Sequence, residues 1–267
     1  MLQLVMLGTG HAMVTKCYNT CFTIENDNES IMIDAGGGNG ILTQVEKAGL
    51  DWSKIRALFV THAHTDHILG AIWVLRKVNT LIKQNKYTEF FKVYGLAENL
   101  NYLKYNCVFL LNDSLSDHIQ FIPTFGEDKF TECGMEFEII NINSTKQTQL
   151  GFRAVIRNYD KPLTLVCLGD EPCHQTCEEY VKDADWLLSE AFCLRNDKEI
   201  FHPYEKNHST AYDAGLMAEK LGVKNLVLYH TEDSDLENRA RKYTQEAMQN
   251  FKGNVFVPDD LQVIRIL

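Results

Sequence analysis

The chain has 267 residues, 45% of them hydrophobic, with a formal net charge of −10. That length and composition suit one large globular core, and no apolar run reaches the ~20 residues that span a bilayer. The acidic balance weighs against a large polyanionic partner, because nucleic-acid binding depends on Lys and Arg neutralising phosphates.

In chain order, Leu2 to Leu7 reads as a first strand. It has no basic lead and no small-residue cleavage site, so no signal peptide is expected. Gly8-Thr9-Gly10 is a tight turn and not a dinucleotide fingerprint, since Met13 stands at the third glycine position. Cys21 to Glu25 and Ser30 to Asp34 form a hairpin, closed by Asp34-Ala35-Gly36-Gly37-Gly38. Ile41 to Ala48 has helical spacing and stops at Gly49. Arg56 to Val60 is a short buried strand, and Ile68 to Leu81 is helical in pattern. A polar loop at 83–90 precedes a short strand, Val93 to Gly95, and a helix, Leu96 to Tyr105. After a polar break at 113–118 come Ile119-Gln120-Phe121-Ile122 and three strands: Met135 to Ile142, Phe152 to Asn158 and Leu163 to Leu168. Thr176 to Lys182 is a short helix and Trp186 to Leu188 a buried strand. Ala211 to Leu221 is an amphipathic helix that Ser209 or Thr210 can cap. Asn225 to Tyr229 is a strand with His230 at its end. Leu236 to Phe251 is a long helix, and Val255 to Val257 and Gln262 to Leu267 are late strands. No linker separates domains, so 1–267 is expected to be a single domain of mixed α and β structure.

The eight cysteines, at 17, 21, 107, 133, 167, 173, 177 and 193, are too scattered for a dense disulfide framework. With no export signal the expectation is reduced thiols in a cytoplasmic protein. Cys173-His174-x-x-Cys177 fits neither a haem nor a zinc spacing well.

The chemistry concentrates in Thr61-His62-Ala63-His64-Thr65-Asp66-His67, on the turn that leaves one strand and opens a helix. Three imidazoles and a carboxylate on one tight loop are costly to desolvate without a cation. With a divalent ion the same residues become a natural ligand set. His62 and His64, two apart on an extended segment, can aim at one ion, whereas Asp66 and His67 fall on the next turn and suit a second.

This pattern resembles the signature of the metallo-β-lactamase superfamily of metal-dependent hydrolases, and within it the ribonuclease Z and phosphodiesterase branch. The resemblance runs from Leu7-Gly8-Thr9-Gly10 to Leu228-Tyr229-His230. It implies a four-layer αββα sandwich, with mixed sheets inside and helices outside. It implies that Asp34 supports the metal loop, that Asp170 of Gly169-Asp170 bridges two ions, and that His230 is the last ligand. The second ion then has Asp66, His67, Asp170 and His230. The first has His62, His64 and Asp170 but lacks a third histidine: the stretch 142–149 contains none, and Asn143 or Thr145 stands near the position. That ion should be the weaker. The two ions are expected to be zinc, with manganese or iron as alternatives. His208 of His208-Ser209-Thr210 is expected to act on the scissile phosphate or leaving group with Glu190 as its partner, and Asp66 to hold the nucleophile. His11, His118, His174 and His202 read as surface or structural residues, of which His11 is best placed to approach the site.

The resulting expectation is a hydrolase that uses a metal-bound hydroxide on a small phosphodiester, which need not be linear. A lactone or thioester substrate, tRNA 3′ processing and a non-catalytic metal-binding sensor are the alternatives. The acidic total and the lack of a basic, Gly-rich clamping arm disfavour tRNA. No membrane partner is expected, and a homodimer is left open.

Overall fold

The computed structural model describes residues 1–144, 146–159 and 161–267, and the statements below concern these. They divide into two compact units.

The first unit comprises Met1–Gly8, Tyr18–Phe125 and Asp260–Leu267. Its strands are Leu2–Gly8 (β1), Cys21–Asn26 (β2), Glu29–Ile33 (β3), Ile55–Phe59 (β4), Phe91–Gly95 (β5), Ile119–Pro123 (β6) and, from the chain's end, Val263–Arg265 (β14). They make one sheet in the order β14-β1-β2-β3-β4-β5-β6. The β14-β1-β2-β3 pairings are antiparallel and the β3-β4-β5-β6 pairings parallel. Helices Gly40–Lys47 (α1), Thr65–Lys83 (α2) and Ala97–Leu111 (α3) belong to the same unit. Val5, Leu7, Met32 and Leu58 from the strands pack in one core with Ile41, Val74, Leu75 and Leu103 from the helices. Each large apolar side chain fully buried there contributes about 1.5–3 kcal/mol. Gly70 lets α2 lie directly on the loop after β3: its N–H donates to Gly36 O at 2.8 Å, and a Cβ would meet Ala35 O at 1.8 Å.

The second unit comprises Thr9–Cys17 and Gly126–Asp259. Its strands are Lys129–Glu132 (β7), Met135–Ile142 (β8), Gln149–Ile156 (β9), Leu163–Cys167 (β10), Trp186–Glu190 (β11), Asn225–Tyr229 (β12) and Asn254–Phe256 (β13), in the order β13-β12-β11-β10-β9-β8-β7. The β10-β11-β12-β13 pairings are parallel, and β7-β8-β9-β10 antiparallel. Helices Glu178–Val181 (α4), Lys198–Phe201 (α5), Ala211–Lys220 (α6) and Leu236–Ala247 (α7) complete it. Val166, Leu187 and Leu228 of the sheet pack with Ala214, Ala218 and Tyr243 of the helices. Of the two expected caps of α6, Thr210 is the one used. Its Oγ1 accepts the Asp213 N–H while the Asp213 carboxylate accepts the Thr210 N–H, a reciprocal box in which the cap residue contributes about 1 kcal/mol.

Most expected elements are present with shifted ends. Helix α2 begins at Thr65, three residues earlier than its apolar pattern, so Asp66 and His67 sit in its first turn. Helix α3 runs six residues past Tyr105, to a left-handed Asn112. The expected helix 176–182 is a 3₁₀ turn, Gln175–Cys177, followed by α4, and α7 ends at Ala247 rather than Phe251. Strand β7 and the short helix α5 have no counterpart in the sequence reading. No described helix is long and apolar enough to cross a membrane, and all eight cysteines are free.

Candidate metal centre

In the first unit the decisive residue is Asp34, buried just past the end of β3 in a left-handed conformation (φ 53°). Its Oδ1 accepts the Thr61 N–H at 2.8 Å, and its Oδ2 accepts the Thr61 hydroxyl at 2.6 Å and lies 2.8 Å from His67 Nδ1. The Thr61 hydroxyl has one proton, and Asp34 takes it. His62 Nδ1, 2.9 Å from Thr61 Oγ1, is therefore the donor of that pair, which leaves the lone pair of His62 on Nε2. By the same reasoning His67 donates from Nδ1 to Asp34, which leaves its lone pair on Nε2. His62 Nε2 is 2.9 Å from His64 Nδ1, and His67 Nε2 is 3.3 Å from Asp66 Oδ2. Ligand atoms of Asp34, His62 and His67 all lie within 4.8 Å of one another.

The electrostatics suit a cation. Burial works against a proton on His67, but the carboxylates of Asp66 and Asp34 outweigh it, and its pKa is held well above the ordinary imidazole value. The surroundings of this ring favour positive charge, which a divalent ion supplies without protonating the ligand nitrogen.

In the second unit the parallel strands β10, β11 and β12 end side by side, as the pairings Cys167↔Leu188 and Glu190↔Tyr229 require. The residues at or just past their carboxyl ends thus share one sheet edge: Asp170, Glu190 and His230. The turn into Asp170 passes through Gly169 at φ 67°, and His230 itself is left-handed at φ 56°. The Tyr229 hydroxyl donates to the Gly169 carbonyl and so ties the β12 end to the β10 end. His230 Nε2 is 3.6 Å from Asp170 Oδ2. His208 enters from the loop before α6 and places Nδ1 3.0 Å from the Asp170 carbonyl oxygen, the geometry of a donated hydrogen bond. Ligand atoms of Asp170, His208 and His230 lie within 4.8 Å of one another.

Glu190 is fully buried. Its Oε1 accepts the Ser209 N–H at 2.6 Å, and its Oε2 faces His208 Nδ1 at 3.6 Å. Burial raises the Glu190 pKa even though His208 and Ser209 oppose it. Burial would lower the pKa of His208, but Glu190 outweighs it and the net shift is upward. The Phe192 ring stacks on His208 at 4.7 Å and 13°, and His11 stacks on Phe192 at 4.4 Å. His11 is therefore beside this cluster, its ring centroid 6.3 Å from that of His230.

Within the first unit the expected residues His62, His64, Asp66 and His67 come together; within the second, Asp170, Glu190, His208 and His230 do. Asn143 turns to Thr176, donating to its Oγ1 at 3.2 Å. Thr145 lies outside the described residues. Phe192, Thr61 and Tyr229 were not singled out by the sequence reading. Thr61 and Tyr229 each adjoin a histidine that the sequence reading singled out, a signal that could have marked them, whereas nothing in the sequence marks Phe192 as a stacking partner.

A family model described as anti-Pycsar protein Apyc1 matches residues 2–250. The chain belongs to the Apyc1 family. This Apyc1-family chain is also 27% identical to a ribonuclease Z of Nitrosopumilus maritimus (strain SCM1) over 277 aligned positions, covering 86% of this chain and 89% of the relative. Among solved structures it is similar to the short form of human tRNase Z (ELAC1), with a TM-score of 0.78, 20% identity and 99% of each chain covered. The metallo-β-lactamase fold protein YhfI of Bacillus subtilis gives a TM-score of 0.77 at 17% identity, with 98% of each chain covered. The fold of this Apyc1-family chain is the metallo-β-lactamase α/β sandwich, as the motifs led one to expect. It stands in the ribonuclease Z and phosphodiesterase-like branch of the hydrolases with that fold.

Proposed function

We propose that residues 1–267 work as one catalytic domain that hydrolyses a small phosphodiester, cyclic substrates included, in preference to a tRNA precursor. The observation that carries this reading is that each unit gathers histidines and carboxylates, Asp34–His62–His67 in one and Asp170–His208–His230 in the other, with side-chain donor atoms within 4.8 Å of one another. The proposed ligands are His62, His64, Asp66, His67, Asp170 and His230, for two divalent ions, zinc first and manganese or iron second. Bound ions there would lower the pKa of a water and neutralise charge on the phosphate. Asp66 orients the attacking water in line with the departing oxygen. His208, whose pKa Glu190 raises against the effect of burial, gives the Nε2 proton to that oxygen as its bond to phosphorus breaks. Phe192 and the Asp170 carbonyl hold the imidazole in place for that transfer. The chain's likeness to a ribonuclease Z and to a tRNase Z supports a phosphodiester over a lactone or thioester, while the net charge of −10 speaks against a large polyanion.

The test is metal content together with initial rates on chromogenic and cyclic diesters, a lactone, a thioester and a precursor tRNA at physiological salt. Faster cleavage of tRNA than of every small diester would overturn the substrate assignment. Asn143, engaged with Thr176, favours a second reading in which one ion and no turnover remain, a sensor; one ion per chain and no activity on the panel would establish it. A cytoplasmic location belongs to the same proposal.

A homodimer through α3 is part of it too. Tyr102, Tyr105, Val108, Phe109 and Leu110 are all at least 43% exposed, an apolar patch rarely left open on a monomer. Pairing it with its two-fold copy would cover on the order of 1,000 Å², the lower range of stable interfaces. Sedimentation should give a dimer that Phe109→Lys dissociates; a monomer at micromolar concentration would remove this element.

A further inference from the structure

Where the resemblance calls for a third histidine, the chain builds something else. Ser144 Oγ donates to the buried Glu171 Oε1 at 2.7 Å and accepts the Lys146 N–H at 3.2 Å. This bracket fixes the backbone at Lys146, whose ammonium donates to the Lys206 carbonyl at 2.5 Å. The Lys206 ammonium in turn donates to the Phe201 carbonyl at 2.9 Å and lies 5.1 Å from the centroid of the Phe192 ring. Phe192 is the ring on which His208 stacks, so Lys206 stands one ring away from that imidazole. Lys146 is near enough to oppose a positive charge on His208.

Both lysines are thus held by backbone carbonyls, and among the described residues neither ammonium is paired with a carboxylate. In a chain with 36 acidic and 26 basic residues, Lys146 acts on His208 and Lys206 lies against the ring that His208 stacks on. Like charges so placed repel one another, and the arrangement becomes favourable when an anion joins them. The scissile diester is not that anion: it carries a single negative charge, and on the reading above that charge faces the metal ligands.

We propose that Lys146 and Lys206 form a subsite for a second anionic group of the substrate, a phosphate monoester carried beside the diester that is cut. A monoester dianion offers two charges to two ammonium groups, each able to make charge-assisted hydrogen bonds. The substrate class narrows from any small phosphodiester to nucleotide-like diesters bearing a further terminal phosphate. This inference rests on the phosphodiesterase reading of the neighbouring cluster.

The experiment compares thymidine 5′-(p-nitrophenyl phosphate) with the same diester bearing a 3′-phosphate. The wild-type kcat/KM should favour the 3′-phosphorylated diester by about tenfold or more, the value of one charge-assisted hydrogen bond. In Lys146→Ala/Lys206→Ala that ratio should fall towards one, and in Lys146→Arg/Lys206→Arg it should persist. A wild type without preference, or an alanine variant that keeps it, overturns the proposal. If the wild type cleaves neither diester, the phosphodiesterase reading fails by itself. The subsite is then decided by calorimetric titration with thymidine 3′,5′-bisphosphate: binding weakened about tenfold in the alanine variant supports it, and equal binding overturns it.

Discussion

The two clusters of histidines and carboxylates are built in opposite ways. In the first unit the proposed ligands arrive together on six consecutive residues, and a single buried carboxylate, Asp34, fixes two of the rings through Thr61 and His67. In the second unit Asp170, His208 and His230 come from separate segments, and adjacent parallel strands bring Asp170 and His230 to one edge. The first cluster depends on a local hydrogen-bond network; the second depends on sheet topology. Damage to one supporting residue should therefore reach two rings in the first cluster, as at Asp34, and one ring in the second, as at Glu190.

The largest effect is expected from Asp170→Ala, which removes a carboxylate proposed as a metal ligand. Elemental analysis should show metal content reduced by at least half, with turnover lost; full metal content would remove Asp170 from the ligand set. Next is His208→Ala. It should keep its metal and lose about 10²–10⁴-fold in rate, the usual contribution of a positioned proton donor. The loss should be greatest on diesters with poor leaving groups, since a good leaving group needs no proton. A uniform loss accompanied by metal release would instead make His208 a ligand, the imidazole that the stretch around Asn143 does not supply.

Smaller again is Asp34→Asn, which keeps one acceptor oxygen in place of two. Removing a partner that orients ligand histidines typically costs about 10–100-fold in metal affinity. Competition with a chelator should show that loss at His62 and His67 together, because Asp34 serves both. Stepwise chelation of the wild type should release the ion on His62 and His64 first, and Asn143→His should slow that release. Simultaneous release of both ions would mean that the third ligand comes from elsewhere.

The smallest effect concerns Glu190. Its carboxylate holds the His208 pKa above the ordinary imidazole range. The acid form is therefore complete below that raised pKa and is lost as pH rises through it. Glu190→Gln should move the alkaline limb of the rate profile to lower pH while the rate at pH 6 falls less than in His208→Ala. An unmoved limb would separate Glu190 from the proton transfer.

The same contrast explains what could be read from the sequence. The His62–His67 loop was legible because its residues are contiguous and their types leave few other uses. Asp170 and His230 were legible only as strand-end residues, through the resemblance, since a lone Asp or His after an apolar run is common. The fold followed the apolar periodicity where strands are buried, as in β1 and β10–β12. It was missed at β7, whose Lys129-Phe130-Thr131-Glu132 alternates too briefly to stand out. Helix α3 was cut short at Tyr105 because the exposed Phe109 and Leu110 break the polar face a surface helix normally shows. The stack of His11 on Phe192 joins residues 181 positions apart, and no local pattern encodes such a contact.

Asp34 also limits how the gene can vary. Its left-handed backbone favours glycine, asparagine or aspartate. Glycine offers no acceptor, and the amide of asparagine puts a donor where Asp34 has an acceptor. Glutamate would reach too far from a backbone already fixed by the Asp34 N–H bond to Phe59 O at 2.9 Å. Of the twenty amino acids aspartate alone meets both demands. A saturation library at position 34, sorted for metal retention, should return aspartate almost alone. A library at the exposed position 13 should come back as varied as it went in.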